Sequence, residues 1–298
     1  MRSFLFVPGD SRKKQQKSLT TGADALILDL EDSVGLTNKD EARTITREFI
    51  DAQGSNANGK DEKAPALFVR INDLETPFWE ADLEAIVGGA PIGIMLPKAR
   101  SGDDVHRLSI ALDHMEARAD ITPGHIGLVV LTTEVPIALL QMSTFVGSSA
   151  RLRALTWGAE DLSAVVGSRT NRKENGDYTS PYRLARDLCL MTAAAAKVDA
   201  IDTVYTNFRD LDGLKRESDE AARDGFSSKM AIHPNQVAII NEAFTPSEQE
   251  IAHAQAVIGA FEKADNAGVV SLDGEMLDRP HLTLAERILE RAKTAGSI

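Results

Sequence analysis

Apolar residues along the chain fall into short β-rich runs separated by longer stretches with a helical repeat. The runs are residues 3–7, 25–30, 66–71, 93–96, 126–131, 154–157, 200–205 and 229–232. Between them, residues 40–50, 81–87, 105–116, 182–197 and 211–223 place apolar side chains three and four apart, the spacing of an amphipathic helix. Strand and helix in alternation predict βα units around a parallel sheet. Eight such units, with no G-x-G-x-x-G turn after the first run, favour a closed TIM (β/α)8 barrel over an open doubly wound sheet. The fourth run is the shortest and lies between Pro91 and Pro97.

Two more helical segments, 247–264 and 284–295, follow the eighth run and are joined by residues 268–280. The expected organisation is a TIM barrel catalytic domain over 1–245 and a C-terminal helical extension over 246–298, able to act as a lid over a barrel mouth, its own or a neighbour's. The polar, glycine-containing stretch 168–179 is expected over the mouth, whereas 53–61 precedes a strand and belongs to the opposite, silent side.

At 298 residues and 43% hydrophobic the chain can fill one large core. It has no run of about 18 uncharged apolar residues, so no membrane span is expected. The start, MRSFLFVPGD, lacks the apolar segment of a secretory signal and reads as a strand. Cys189 is the single cysteine, which excludes an intrachain disulfide and a thiolate zinc site and suits the cytoplasm. A formal charge of −12 speaks against nucleic acid as a partner. An anionic ligand needs a local basic patch, and Arg12, Lys13, Lys14 and Lys17 supply one unless they are an ordinary solvated helix face.

In TIM barrels the chemistry gathers at the C-terminal strand ends. Those ends carry Asp29, Glu31 and Asp32, then Arg70, Lys98, Glu134, Asp161 and His233. Glu134 and Asp161 follow consecutive strands, and two carboxylates brought together without a base invite a divalent cation such as Mg²⁺. Capping of the helices that follow is the alternative. Arg70 ends an apolar strand, where a guanidinium requires an anion: a substrate carboxylate or enolate, or a neighbouring rim acid. Asp29 and Glu31 share a face by strand alternation and can orient metal-bound water with Asp32, or pair with Arg70 or Lys98. His233 precedes a proline and reads as a ligand, a base or a fixed turn residue. Cys189 reads as core.

The segments RSFLFVPGDSRKKQQKSLTTGADALILDLEDSV, VRINDLETPFW, LPK, GAEDL, GFSSKMAIHPNQ and FTPSE occur in that order. Together they resemble the citrate lyase beta-subunit-like family of the HpcH/HpaI aldolase superfamily, and the related malyl-CoA lyases, from residue 2 to about residue 280. The resemblance implies a TIM barrel assembled as a homotrimer or hexamer, with Mg²⁺ (Mn²⁺ as a substitute) as cofactor and a CoA thioester and a 2-oxoacid as small-molecule partners. It assigns Glu134 and Asp161 to the metal, Arg70 to the substrate, and Phe6, Arg12, Lys17 and the backbone of Ile232 and His233 to CoA. It also implies a catalytic aspartate in the G-x-x-x-D run Gly274–Asp278 that closes over a neighbouring subunit. Glu275 stands there where many relatives carry lysine. The implied activity is carbon–carbon cleavage of a 3-hydroxyacyl-CoA such as malyl-CoA or citramalyl-CoA. A citryl thioester lyase subunit, a malyl-CoA thioesterase and a non-catalytic barrel scaffold remain as alternatives.

Overall fold

The computed structural model describes residues 1–54, 64–265 and 267–298. Eight parallel strands close into a barrel in sequence order: β1 (Ser3–Pro8), β2 (Ala25–Asp29), β3 (Ala66–Arg70), β4 (Gly93–Leu96), β5 (Gly127–Leu131), β6 (Leu152–Thr156), β7 (Asp199–Asp202) and β8 (Ser228–Ala231), with β8 paired to β1. Around it run α1 (Arg12–Ser18), α2 (Lys39–Gln53), α3 (Trp79–Ile86), α4 (Gly102–Arg118), α5 (Pro136–Leu140), α6 (Glu160–Val166), α7 (Ser180–Ala196), α8 (Leu211–Asp224) and α9 (Pro234–Ala243). The tail consists of α10 (Glu248–Lys263), the antiparallel hairpin β9 (Val269–Leu272) and β10 (Glu275–Asp278), and α11 (Arg279–Thr294).

Strand alternation divides the apolar residues in two. One set, including Leu26, Leu28, Val69, Leu96, Leu128 and Val130, packs outward against the helices. The other, Phe4, Ile27, Phe68, Met95, Val129, Ile201 and Met230 among them, fills the barrel. A side chain at Gly93 would meet Phe68 at 2.6 Å, so glycine there makes the room that Phe68 occupies. The inward alternation continues past the core. Asp29 follows Ile27, and Arg70 follows Phe68, so both polar groups emerge at the top of the same interior.

Most predicted elements shift by a few residues, and three differ more. Predicted strand 200–205 ends at Asp202, because β7 pairs β8 only through Ile201 and Asp202 and residues 203–205 turn over the mouth. Helix α9 was not anticipated: Pro234 reads as a turn, yet at the first helical position it costs no hydrogen bond. The joining segment 268–280 holds a hairpin, and α11 starts at Arg279, five residues before the predicted 284. The stretch 53–61 lies almost wholly outside the described residues. Among the described residues no helix is long and apolar enough to cross a membrane.

The tail has its own small core of Val257, Phe261, Val270, Leu277 and Ala285. The last turns of α11 lie beside Met1, Arg2, Asp24, Asp199 and Ser227, which sit at the N-terminal ends of the strands. The tail therefore docks beneath its own barrel, on the side away from the strand C-termini.

Candidate active site

A cavity of about 300 Å³ opens at the C-terminal strand ends, lined by Phe6, Asp29, Arg70, Glu134, Asp161 and Ile232 among others. Strand register explains its first contact. Asp29 and Arg70 are direct partners across β2 and β3, and the guanidinium donates from Nε to Oδ1 and from Nη2 to Oδ2 of Asp29, each at 2.7 Å. Asp29 also accepts from the N–H groups of Glu31 and Ser33, at 3.0 and 3.2 Å. Its oxygens are thus taken up, and the pairing with Arg70, one of two readings that are compatible with each other, is present. Arg70 Nη1 lies 2.8 Å from Glu31 Oε2, and the guanidinium sits 4.9 Å from the Phe6 ring centroid. Burial opposes the charge on Arg70, but Asp29 and Glu31 outweigh it and raise its pKa.

Glu134 follows β5 and is 4% exposed. Gly158 makes room for it: a Cβ there would stand 3.0 Å from Glu134 Cγ and 3.2 Å from Oε1. Glu134 Oε2 accepts the Lys98 N–H at 2.7 Å. Burial, then the charges of Asp161 and Glu31, push the Glu134 carboxyl up to about 8. Neither Glu134 nor Asp161 caps a helix: the cap positions of α5 and α6 are Val135 and Ala159, without side-chain cap bonds. Asp161 is one-third exposed, with Lys98 Nζ 3.4 Å away. The same ammonium contacts Glu31 and lies 3.0 Å from Asp32.

Two hard-oxygen carboxylates, one pushed toward protonation by burial and then by like charge, and both facing a cavity, fit an oxophilic divalent ion that keeps several waters. Among the described residues no group of three or more His, Cys, Asp or Glu side chains has the arrangement of an all-protein metal cage.

The remaining candidates divide. Ile232 lines the cavity, and its N–H donates to Gln236 at 2.8 Å. His233 is the fixed turn residue: it caps α9 by accepting the Asn235 N–H on Nδ1 at 3.2 Å, and it stacks on Phe208. Arg12 is exposed and paired with Glu48, and Lys17 is exposed on α1; neither lines the cavity. Stretch 168–179 is not wholly exposed, since Tyr178 is buried and Arg172 pairs with Glu217. Cys189 is fully buried core. Asp278 caps α11 and contacts His281 at 2.6 Å. Among the described residues, none that lines this cavity comes from 246–298.

Some supporting residues were not anticipated. Buried Asp82 accepts from Asn72 Nδ2 at 2.7 Å and from Arg43 Nε at 2.7 Å, while Asn72 Nδ2 also reaches the Leu30 carbonyl at 3.0 Å. Lys39 Nζ donates to the carbonyls of Leu30 and Glu31, each at 2.7 Å. These bonds pin the turn that carries Glu31 and Asp32. Asn72 in the VRIN run was the available signal.

A closed βα barrel whose charged groups gather around a cavity at the strand C-termini has the layout of a barrel enzyme. The family model for HpcH/HpaI aldolase/citrate lyase matches residues 2–234, and the chain belongs to that family. It is similar to the citrate lyase subunit beta of Leuconostoc mesenteroides subsp. cremoris, 32% identical over 98% of this chain and 93% of that one. It is also similar to the mitochondrial citramalyl-CoA lyase of Rattus norvegicus, at 33% over 98% of this chain and 86% of that one. The crystal structure of protein CitE from Mycobacterium tuberculosis, in complex with magnesium, acetoacetate and coenzyme A, matches with a TM-score of 0.76 and 31% identity, covering 98% of each chain.

Proposed function

We propose that this protein is a Mg²⁺-dependent carbon–carbon lyase that splits a 3-hydroxyacyl-CoA thioester, such as malyl-CoA or citramalyl-CoA, into acetyl-CoA and a 2-oxoacid. The observation that carries this reading is the under-compensated pair Glu134 and Asp161 beside Arg70 at one cavity. Relatives named for citramalyl-CoA and citrate cleavage, and the CitE complex with magnesium and coenzyme A, support it.

Glu134 and Asp161 would hold the ion. Bound there, Mg²⁺ supplies Lewis-acid polarisation of the substrate oxygens. Arg70, fixed by the two-pronged bond to Asp29, keeps N–H groups free to meet the thioester oxygen. As the hydroxyl proton passes to solvent water, the O–H electron pair forms the carbonyl of the oxoacid, the carbon–carbon bond breaks and its electron pair moves onto the thioester oxygen as an enolate, whose charge Arg70 offsets. Proton return to carbon then completes acetyl-CoA. Asp278 suits that role only from a neighbouring copy of the chain, because its own tail docks beneath its own barrel. Ile232 and Phe6 line the wall along which CoA would lie, with Lys17 and Arg12 further out on α1.

The test is an assay of malyl-, methylmalyl-, citramalyl- and hydroxymethylglutaryl-CoA for acyl-CoA and oxoacid release, a 2-oxoacid from the first three and a 3-oxoacid from the last. We expect acetyl-CoA or propionyl-CoA and the oxoacid in equal amounts, abolished by EDTA. Turnover undiminished by EDTA overturns the metal assignment. Free CoA in place of acetyl-CoA favours a thioesterase, and activity on a citryl thioester alone favours a citrate lyase subunit. Co-refolding Asp278→Ala with Glu134→Ala should restore part of the activity, and no recovery in confirmed mixed oligomers removes the shared site.

A further inference from the structure

Lys98 touches both carboxylates assigned to the metal. Its N–H donates to Glu134 Oε2 at 2.7 Å, while its Nζ stands 3.4 Å from Asp161 Oδ1. The backbone there has φ of 51°, the left-handed region, which is strained for a residue with a side chain. That conformation follows Pro97 at the end of β4, and in it the amide serves Glu134 while the side chain crosses the mouth. The ammonium has three carboxylate neighbours. Glu31 and Asp32 are the close ones, and Asp161 is beyond ordinary hydrogen-bond length.

A divalent ion at Asp161 needs an oxygen at about 2.0–2.1 Å. An ammonium on the same carboxylate competes for that oxygen and repels the ion through space. We propose that Lys98 is the resident counter-cation of the mouth: it offsets the charge of Asp161 at ion-pair distance while no divalent ion is bound and yields that carboxylate, keeping Glu31 and Asp32, when one binds. The inference rests on Glu134 and Asp161 being the metal ligands. It makes a prediction that a purely structural lysine does not. Removing the ammonium should strengthen metal binding, since both the competitor and the repulsion go; removing a mere support should weaken it.

The experiment is isothermal titration of MgCl₂ into chelator-treated full-length wild type, Lys98→Met, Lys98→Arg and Glu134→Gln. Lys98→Met should bind one ion per chain about tenfold more tightly than wild type or better, the size expected when one unit charge several ångströms away is removed at a partly solvated site. Lys98→Arg should stay near wild type. Equal or weaker binding by Lys98→Met, beside wild-type binding that Glu134→Gln loses, overturns the role of Lys98 alone. Wild type that takes up no Mg²⁺, or Glu134→Gln binding as well as wild type, overturns the metal ligands and Lys98 with them. If Lys98→Met does not fold, Lys98→Gly relieves the φ, keeps the N–H and carries the same expectation.

Discussion

Lys229 in the barrel wall and Glu134 at the barrel mouth are both buried, and burial has opposite outcomes for them. Lys229 Nζ, fully buried, donates to Asp202 at 2.6 Å and Glu217 at 2.9 Å. Those acids are themselves matched. Trp157 Nε1 donates to Asp202 at 2.7 Å, and Arg172 pairs with Glu217 at 2.7 Å. Burial works against the Lys229 charge, yet Asp202 and Glu217 raise its pKa above the ordinary value. At the mouth Asp29, Glu31, Asp32, Glu134 and Asp161 share Arg70 and Lys98, with Lys39 one layer back on backbone carbonyls. There burial and like charge combine, and the Glu134 carboxyl is driven up. A buried charge network that balances serves the fold. One that does not balance keeps a place for a cation from outside.

The sharpest break between the regions is expected from Glu134→Ala and Asp161→Ala. Either change should lower turnover by about 10²–10³-fold or more, with the circular dichroism spectrum and melting temperature retained. A variant that loses activity only because it unfolds would return the mouth to the structural class. The next effect is on stability. Lys229→Met leaves Asp202 and Glu217 facing an apolar side chain and should cost about 3–5 kcal/mol in denaturant unfolding. A cost below about 1 kcal/mol would mean that the β7–β8 network is not the balanced one.

The smallest effect concerns pH. Burial pushes the Glu217 carboxyl up, but Lys229 and Arg172 more than reverse this and hold it below the ordinary value. Such a group adds stability that is fully present above its unfolded pKa of about 4.3 and is lost as pH falls through the lowered folded value. The stability gap between wild type and Glu217→Gln should therefore be constant near neutrality and close on acidification. A gap that widens toward low pH would contradict the pairing.

Much of the barrel was legible because its signal is local. Alternating apolar runs and helical repeats mark the βα units, and the same alternation carries Asp29 and Arg70 onto one interior face. The hairpin of the tail was also written locally, in Asp273-Gly274 between short alternating runs, a two-residue turn signal that the polar surroundings obscured. Helix α9 was missed and α11 mis-bounded for one reason: a proline can start a helix as well as stop one. What no local pattern carries is pairing between distant strands. Lys229 on β8 finds Asp202 on β7 and Glu217 on α8, and Lys98 after β4 finds Asp161 after β6. Such partners are chosen by barrel closure, so the balanced network was not anticipated, and the crossing of the mouth by Lys98 was only one of several open pairings.

Under the proposed function the mouth is a cation site because its charges do not balance. Electron paramagnetic resonance of Mn²⁺ titrated into the chelator-treated protein tests it without any substrate. The account predicts one immobilised Mn²⁺ per chain in wild type, displaced by excess Mg²⁺ and absent from the Glu134→Gln, Asp161→Asn double variant. Equal Mn²⁺ immobilisation by wild type and the double variant would contradict it.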